Sequence, residues 1–292
     1  MQNKYHFYVL GALFFLIFFT FFFVSAPRNF PEGIVFNVAQ GSSLRSVSFE
    51  LKNQNIIRSR LVFEAFVIIY GGEKHIIPAD YLFENKISSR EVAKRISKGE
   101  RHLAPVKVTI PEGFTVYDIA DTFALKLSYF NKDKFLNYAK DKEGYLFPDT
   151  YFFFTTANEE DVLKSLTDNF KKKISMLENE IINTGKSEGD IIKMASLLER
   201  ESKGSADRDI ISGILWKRLS IGMSLQADAA PETYKKLGLP ANPICNPGLL
   251  SIKAAIYPKS TPYLYYLHDK DGNIYYAKSF TEHRKNILKY LK

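Results

Sequence analysis

The 292-residue chain reads as an α+β protein: one N-terminal transmembrane helix, tandem β-α-α-β units, then a mainly helical segment with a loop- and strand-rich C-terminal part. Three observations predict this. Residues 5–27 contain no Asp, Glu, Lys or Arg; the chain behind them resembles itself at an offset of 72; and helical apolar periodicity from Asp161 gives way after Gly222 to stretches dense in Pro, Gly and Asn. The implied boundaries are 1–27 for a cytoplasmic tail and anchor, 28–104 and 105–156 for the two repeat units, and 157–292 for the remainder. At 46% hydrophobic and 25% charged, the composition excludes disorder and leaves room for one large or two modest cores.

The first element is dominated by Phe, Leu, Val and Ile over a length that spans a bilayer. Val24-Ser25-Ala26 is similar to the end of a cleavable signal, but Pro27 follows directly and the run is long for such a signal, so a retained anchor is expected. Lys4 lies on one side and Arg28 on the other, so flanking charge barely specifies orientation. Cys245 is the only cysteine, which excludes an intrachain disulfide and a Cys-based metal site. The net charge of +8 is spread out, with Lys171-Lys-Lys173 as a run that suits a solvated helix face. A membrane anchor argues against a nucleic-acid partner.

The repeat pairs Phe36-Asn-Val38 with Val108-Thr-Ile110, Gly41 with Gly113, Leu44 with Val116 and Phe63 with Phe135. The offset then becomes 70, as Ile77-Pro78, Tyr81 and Phe83 pair with Phe147-Pro148, Tyr151 and Phe153. Each unit predicts a short strand, a turn at Gly, two helices and an aromatic strand after Pro. The strand–Gly–helix segments Val38-Ala-Gln-Gly-Ser-Ser-Leu44 and Ile110-Pro-Glu-Gly-Phe-Thr-Val116 resemble the LysM module, a binder of N-acetylglucosamine polymers. A generic two-layer repeat explains the same residues through turn chemistry and core packing.

Past the repeat, one long amphipathic helix is predicted from Asp161 to Ile182, and another opens at Ser187-Glu-Gly-Asp190, a capping-box-like start. That second helix runs into Ala195-Ser-Leu-Leu-Glu-Arg-Glu-Ser-Lys-Gly204. Met194, Leu197 and Leu198 fall on the side of Glu201, and a carboxylic acid in apolar surroundings holds the proton that a general acid near neutral pH needs. A solvated helix-end glutamate is the plainer alternative. Glu199, with Lys203 four residues on, reads as a surface ion pair. A third helix is expected from Asp207 to Leu219, ending at Gly222 and keeping Trp216 in the core. The stretches Met223-Ser-Leu-Gln-Ala-Asp228, Gly238 to Gly248 and Tyr257 to Tyr266 then suit a cleft wall, or loops with Tyr263, Tyr265 and Tyr266 half buried in a strand.

Glu143-Gly-Tyr-Leu-Phe-Pro-Asp-Thr-Tyr151, Ala195-Ser-Leu-Leu-Glu-Arg-Glu201, Arg218 to Asp228, Asn246-Pro-Gly248 with Ser251-Ile-Lys-Ala-Ala255, Thr261-Pro-Tyr-Leu-Tyr265 and Glu282-His283 together resemble, in order, the YceG-like family of endolytic murein transglycosylases. The resemblance implies a single-pass inner-membrane protein with an extracytoplasmic domain, a LysM-like subdomain and a transglycosylase domain. It implies internal cleavage of the MurNAc-GlcNAc β-1,4 bond to give 1,6-anhydro-MurNAc ends, which limits strand elongation. The second glutamate of the family motif matches Glu201, which then acts as acid and base; Ser202 beside it strengthens the match. Gln226 and Asn246 are candidates for bonds to acetamido or hydroxyl groups, Asp228 for orienting a partner, Glu143 and Asp149 for lining the cleft, and Tyr145 and Tyr151 for stacking on sugar. No cofactor is implied, and His283 lacks the second clustered ligand a metal needs. Expected partners are peptidoglycan glycan strands and cell-wall synthases of the penicillin-binding class.

Two departures from the family stand out: Asp228-Ala229 where Asp-Pro is usual, with a shortened segment up to Asn246, and Cys245 where a smaller residue is usual. The competing readings are a membrane-tethered, non-catalytic peptidoglycan-binding protein and a cell-wall scaffold. Both predict that Glu201→Gln changes nothing.

Overall fold

A computed structural model describes the chain except Met1, residues 72–75, Ser128, Thr156, residues 202–206 and Lys292. It is a mixed α+β protein, and it divides into two compact units, Met1–Pro105 and Val106–Lys292.

In the first unit, helix α1 (Gln2–Phe19) continues through a π turn, Thr20–Val24. The span His6–Val24 is long and apolar enough to cross a membrane and buries nothing within the protein. Its end is fastened locally: the Arg58 guanidinium donates to the Ala26 carbonyl at 2.8 and 3.1 Å and lies over the Phe22 ring. Strand β1 (Ile34–Val38), helices α2 (Leu44–Asn53) and α3 (Arg60–Tyr70), strand β2 (Ala79–Phe83) and helix α4 (Ser89–Lys98) follow. The strands pair antiparallel with Ile34 opposite Phe83. Phe36, Leu51, Phe63, Tyr81, Phe83 and Ile96 fill the core beneath them.

The second unit opens with the same order: β3 (Val106–Thr109), α5 (Val116–Ala124), α6 (Lys132–Ala139), β4 (Thr150–Phe153) and α7 (Glu159–Ser175). Again the strands pair antiparallel, Val106 opposite Phe153. The likeness extends to the devices that start and stop each element. Gly41 and Gly113 both take φ near +80°, a turn only glycine adopts freely. Ser43 and Thr115 cap α2 and α5, Ser59 and Asn131 cap α3 and α6, and Ser88 and Asn158 cap α4 and α7, each with its side-chain oxygen on a backbone N–H of the first turn. Tyr81 and Tyr151 both donate their hydroxyls to the carbonyl four residues back, Ile77 at 2.7 Å and Phe147 at 2.6 Å.

The rest of the unit is α8 (Glu178–Asn183), α9 (Glu188–Glu201), α10 (Arg208–Ser220), a short 3-10 turn Pro231–Tyr234, α11 (Leu249–Ile256), the hairpin β5 (Tyr265–His268) with β6 (Ile274–Ala277), and α12 (Phe280–Tyr290). The long helix expected to reach Ile182 breaks at Met176 and Leu177. Phe170, Ile174, Leu177 and Ile181 are all buried at helical spacing, so the apolar phase runs unbroken through the break and periodicity does not reveal it. Ser187 starts α9 as expected, its oxygen accepting from Asp190 N at 3.1 Å. Trp216 packs against the core and donates its indole N–H to Ala255 O.

Helix α9 is the centre of this core. Ile191, Ile192, Met194, Ala195, Ser196, Leu197 and Leu198 are all fully buried, because α10 and α11 pack on it from different sides. An amphipathic helix has a solvated face; this one has almost none.

Candidate active site

That burial corrects the expectation for Glu199. Its side chain is only 7% exposed; Oε1 lies 3.5 Å from the Arg208 guanidinium and Oε2 accepts from Gly248 N at 2.8 Å. Glu199 therefore ties α9 to α10 and to the start of α11. Glu112 sits against the same joint: a Cβ on Gly248 would fall 1.8 Å from its Oε1, so only glycine fits there. Burial, with the charge of Glu199 beside it, raises the Glu112 pKa, and Arg208 partly offsets this.

Glu201 ends α9, half-buried on the wall of an open cavity of about 910 Å³. Its oxygens meet donors rather than the apolar wall the helix phase suggested. Oε1 accepts from Ala229 N at 3.1 Å and Oε2 from the Tyr266 hydroxyl at 3.0 Å. Burial, reinforced by the carboxylate itself, raises the Tyr266 phenol well above the ordinary tyrosine range, so it remains a donor at neutral pH. Ala229 is one of the departures noted above. A proline there would carry no N–H, so this bond to Glu201 requires a residue other than proline at position 229.

The cavity is otherwise lined by Arg200, Arg218, Gln226, Asp228, Tyr234 and Ile244, together with residues of β5 and the α12 segment. Gln226 has φ of +49°, left-handed backbone that costs free energy in a non-glycine residue. The loop holds it there through the buried Thr233, whose hydroxyl accepts from Ala227 N at 2.9 Å and donates to Ala230 O at 2.7 Å. Asp228 accepts a bond from the Tyr234 hydroxyl, which pushes that phenol up to about 12. Arg218 is buried beneath, its Nε donating to Leu264 O at 2.7 Å and its guanidinium over the Tyr265 ring at 5.2 Å.

Three of the residues singled out for substrate lie elsewhere. Asn246 is fully buried and saturated: Oδ1 accepts from Leu146 N at 2.9 Å, and Nδ2 donates to Phe114 O and to Glu143 Oε1 at 3.0 and 2.8 Å. Glu143 Oε2 in turn accepts from Val116 N at 3.1 Å. Burial raises the Glu143 pKa, with backbone donors opposing that rise. Together they fasten the Gly113 turn of the second repeat to the loop before α11. Asp149 is exposed and bonded to Asn169 and to its neighbour Thr150. Neither tyrosine proposed for stacking faces the cavity: Tyr145 packs edge-on against Phe170, and Tyr151 repeats the strand contact of Tyr81. Ser202 lies outside the described residues.

Tyr266 and the Ala229 N–H are the contributors that sequence reasoning missed. The only signal for Tyr266 was its place in a tyrosine-rich strand, which does not say that its ring reaches a carboxylate 65 residues away. Ser196, in the same motif as Glu201, also gained a role: it accepts from Ile244 N at 3.1 Å and its carbonyl accepts from the Cys245 thiol, holding the 243–246 loop against α9.

An open cavity with a half-buried glutamate held by two donors at a helix end, on a core of buried helices, defines a cleft protein with a candidate acid–base group. The chain belongs to the YceG-like family, whose model matches residues 36–232 and 230–289. It is 27% identical to an endolytic murein transglycosylase of Bacillus subtilis strain 168 across 87% of this chain and 84% of that one. It is 23% identical to the endolytic murein transglycosylase of Streptococcus pneumoniae strain R6 across 90% of this chain, spanning 59% of that longer protein. The crystal structure of a YceG-like protein from Listeria monocytogenes aligns with a TM-score of 0.59 at 26% identity, covering 87% of this chain and 99% of that one.

Proposed function

We propose that this chain is an endolytic peptidoglycan lytic transglycosylase with Glu201 as its acid and base. The observation that carries the reading is the Glu201 carboxylate, opening into the cavity and held by Ala229 N and Tyr266. Family membership and the names of its relatives support the substrate class. Protonated Glu201 gives its proton to the oxygen of the MurNAc-GlcNAc β-1,4 bond as that bond breaks and positive charge develops at the MurNAc anomeric carbon. The resulting carboxylate takes the proton of the MurNAc C6 hydroxyl while O6 closes on that carbon. One bond breaks, one forms, the proton returns to Glu201 and no water is consumed. The tethered hydroxyl reacts at high effective concentration. Asp228 shares the cavity, but its bond to Tyr234 and the engagement of the motif's other glutamate, Glu199, by Arg208 and Gly248 favour this route over the two-carboxylate scheme of hydrolases.

In the same reading α1 anchors the protein in the cell membrane with the rest outside the cytoplasm, and the β-α-α-β units act as LysM-like contacts for the strand. Gln226 bonds acetamido or hydroxyl groups of the bound sugar. Cell-wall synthases that make nascent strands are the protein partners this placement suits. Mass spectrometry of uncrosslinked glycan digested with the chain and with Glu201→Gln tests the reaction. Internal fragments with 1,6-anhydro-MurNAc ends, lost in the variant, are expected. Reducing ends would mean a hydrolase, and binding without cleavage would mean a tethered binding protein.

A further inference from the structure

Helix α12 buries no side chain, yet its apolar residues are ordered. Phe280, His283, Ile287 and Leu291 recur at steps of three and four, forming one stripe, and all four line the cavity that holds Glu201. Phe280 is 59%, Ile287 37% and Leu291 44% exposed; Leu288, also exposed, lies off the stripe and outside the cavity. The stripe is set firmly in place. Tyr265 on β5 stacks on the His283 ring at 5.2 Å and meets the Phe280 ring at 6.0 Å, and the next residue of that strand is Tyr266, the partner of Glu201. The cavity lining therefore combines carboxylates, amide and guanidinium with the apolar side chains Phe280, Ile287 and Leu291.

We infer that the α12 stripe is a glycan subsite, with Phe280 and Ile287 packing on the faces of sugar rings next to the bond that is cut. A β-linked pyranose with equatorial substituents presents C–H groups on its ring faces and hydroxyl and acetamido groups around its edge. A cleft that carries both apolar and polar lining matches both surfaces of such a chain, whereas a lipid tail or an apolar helix would leave the charged lining groups unpaired. Continuity with the Glu201 cavity selects the glycan as occupant. This inference rests on the transglycosylase reading.

The test uses the full chain in detergent, cleaving uncrosslinked glycan strands, with binding of an N-acetylglucosamine hexamer measured in the Glu201→Gln background. Phe280→Ala and Ile287→Ala are expected to raise KM and weaken hexamer binding about tenfold each, with kcat within about twofold, because they remove binding shared by ground and transition states. Phe280→Trp, which keeps an aromatic face, is expected to bind the hexamer more tightly than Phe280→Ala, and Leu288→Ala, outside the cavity, to behave as the parent does. Unchanged KM and hexamer affinity in both alanine variants, while the parent cleaves, would overturn the subsite and leave the reaction standing. So would an equal loss in Leu288→Ala. A parent that neither cleaves nor binds would overturn both.

Discussion

Glu199 and Glu201 share one short motif and end in opposite circumstances. At about 100° per residue their side chains leave α9 some 200° apart. One enters the joint with Arg208 and Gly248, and the other enters the cavity. What distinguishes Glu201 is that both its oxygens are engaged and yet the group stays accessible. Tyr266→Phe removes one donor without changing the packing of the ring. The expected outcome is a fall in kcat of roughly tenfold, with KM unchanged, since a hydrogen bond to a charged group is worth about 1.5–3 kcal/mol and Ala229 N still holds the other oxygen. Steady-state cleavage rates at several strand concentrations check this. A rise in KM instead would make Tyr266 a substrate contact. Ala229→Pro deletes the other donor and is expected to act in the same direction.

Elements of the repeat were legible because each carries local signals. The glycine turns, the Ser, Thr and Asn caps and the prolines before β2 and β4 recur at fixed offsets, and each works through its immediate neighbours. The site was less legible because its bonds are long-range. The helix phase singles out Glu201, but its donors come from a loop and a hairpin, and the sequence does not state which side of α9 another helix will cover. The turn break at Met176 left no mark in the apolar pattern. Asn246 was misread for the same reason: in sequence it is a polar residue beside prolines, while its partners Leu146, Phe114 and Glu143 lie 100, 132 and 103 residues upstream. This joint makes its own prediction. Asn246→Ala leaves Leu146 N–H and Glu143 Oε1 without partners, and each buried unsatisfied group costs about 1–3 kcal/mol. Denaturant unfolding is expected to show a loss of about 3 kcal/mol. If Asn246 instead touched sugar, stability would hold and KM would rise.

In the molecule as a whole, hydrophobic burial is partitioned. The core of the first unit is drawn from residues between Phe30 and Ile96, whereas the second unit contains two cores, one around Phe123 and Leu166 and one around α9. Those two are bound together by the Asn246–Glu143 network and by α6 packing on α7, so they are expected to unfold together. Among the described residues, those that line the Glu201 cavity all belong to the second unit. Phe63 lies fully buried in that first core, and truncating such a side chain costs about 3–5 kcal/mol. Phe63→Ala should therefore lower amide-exchange protection in α2, α3, β1 and β2 while protection in α9 and α11 stays at the parent level. Cleavage of short soluble glycan by the same variant should keep its parent kcat, because every group oriented around Glu201 is held by the second unit. If protection in α9 fell together with that in α3, the two units would be one cooperative fold, and a lesion in the first core would reach the helix that carries Glu201.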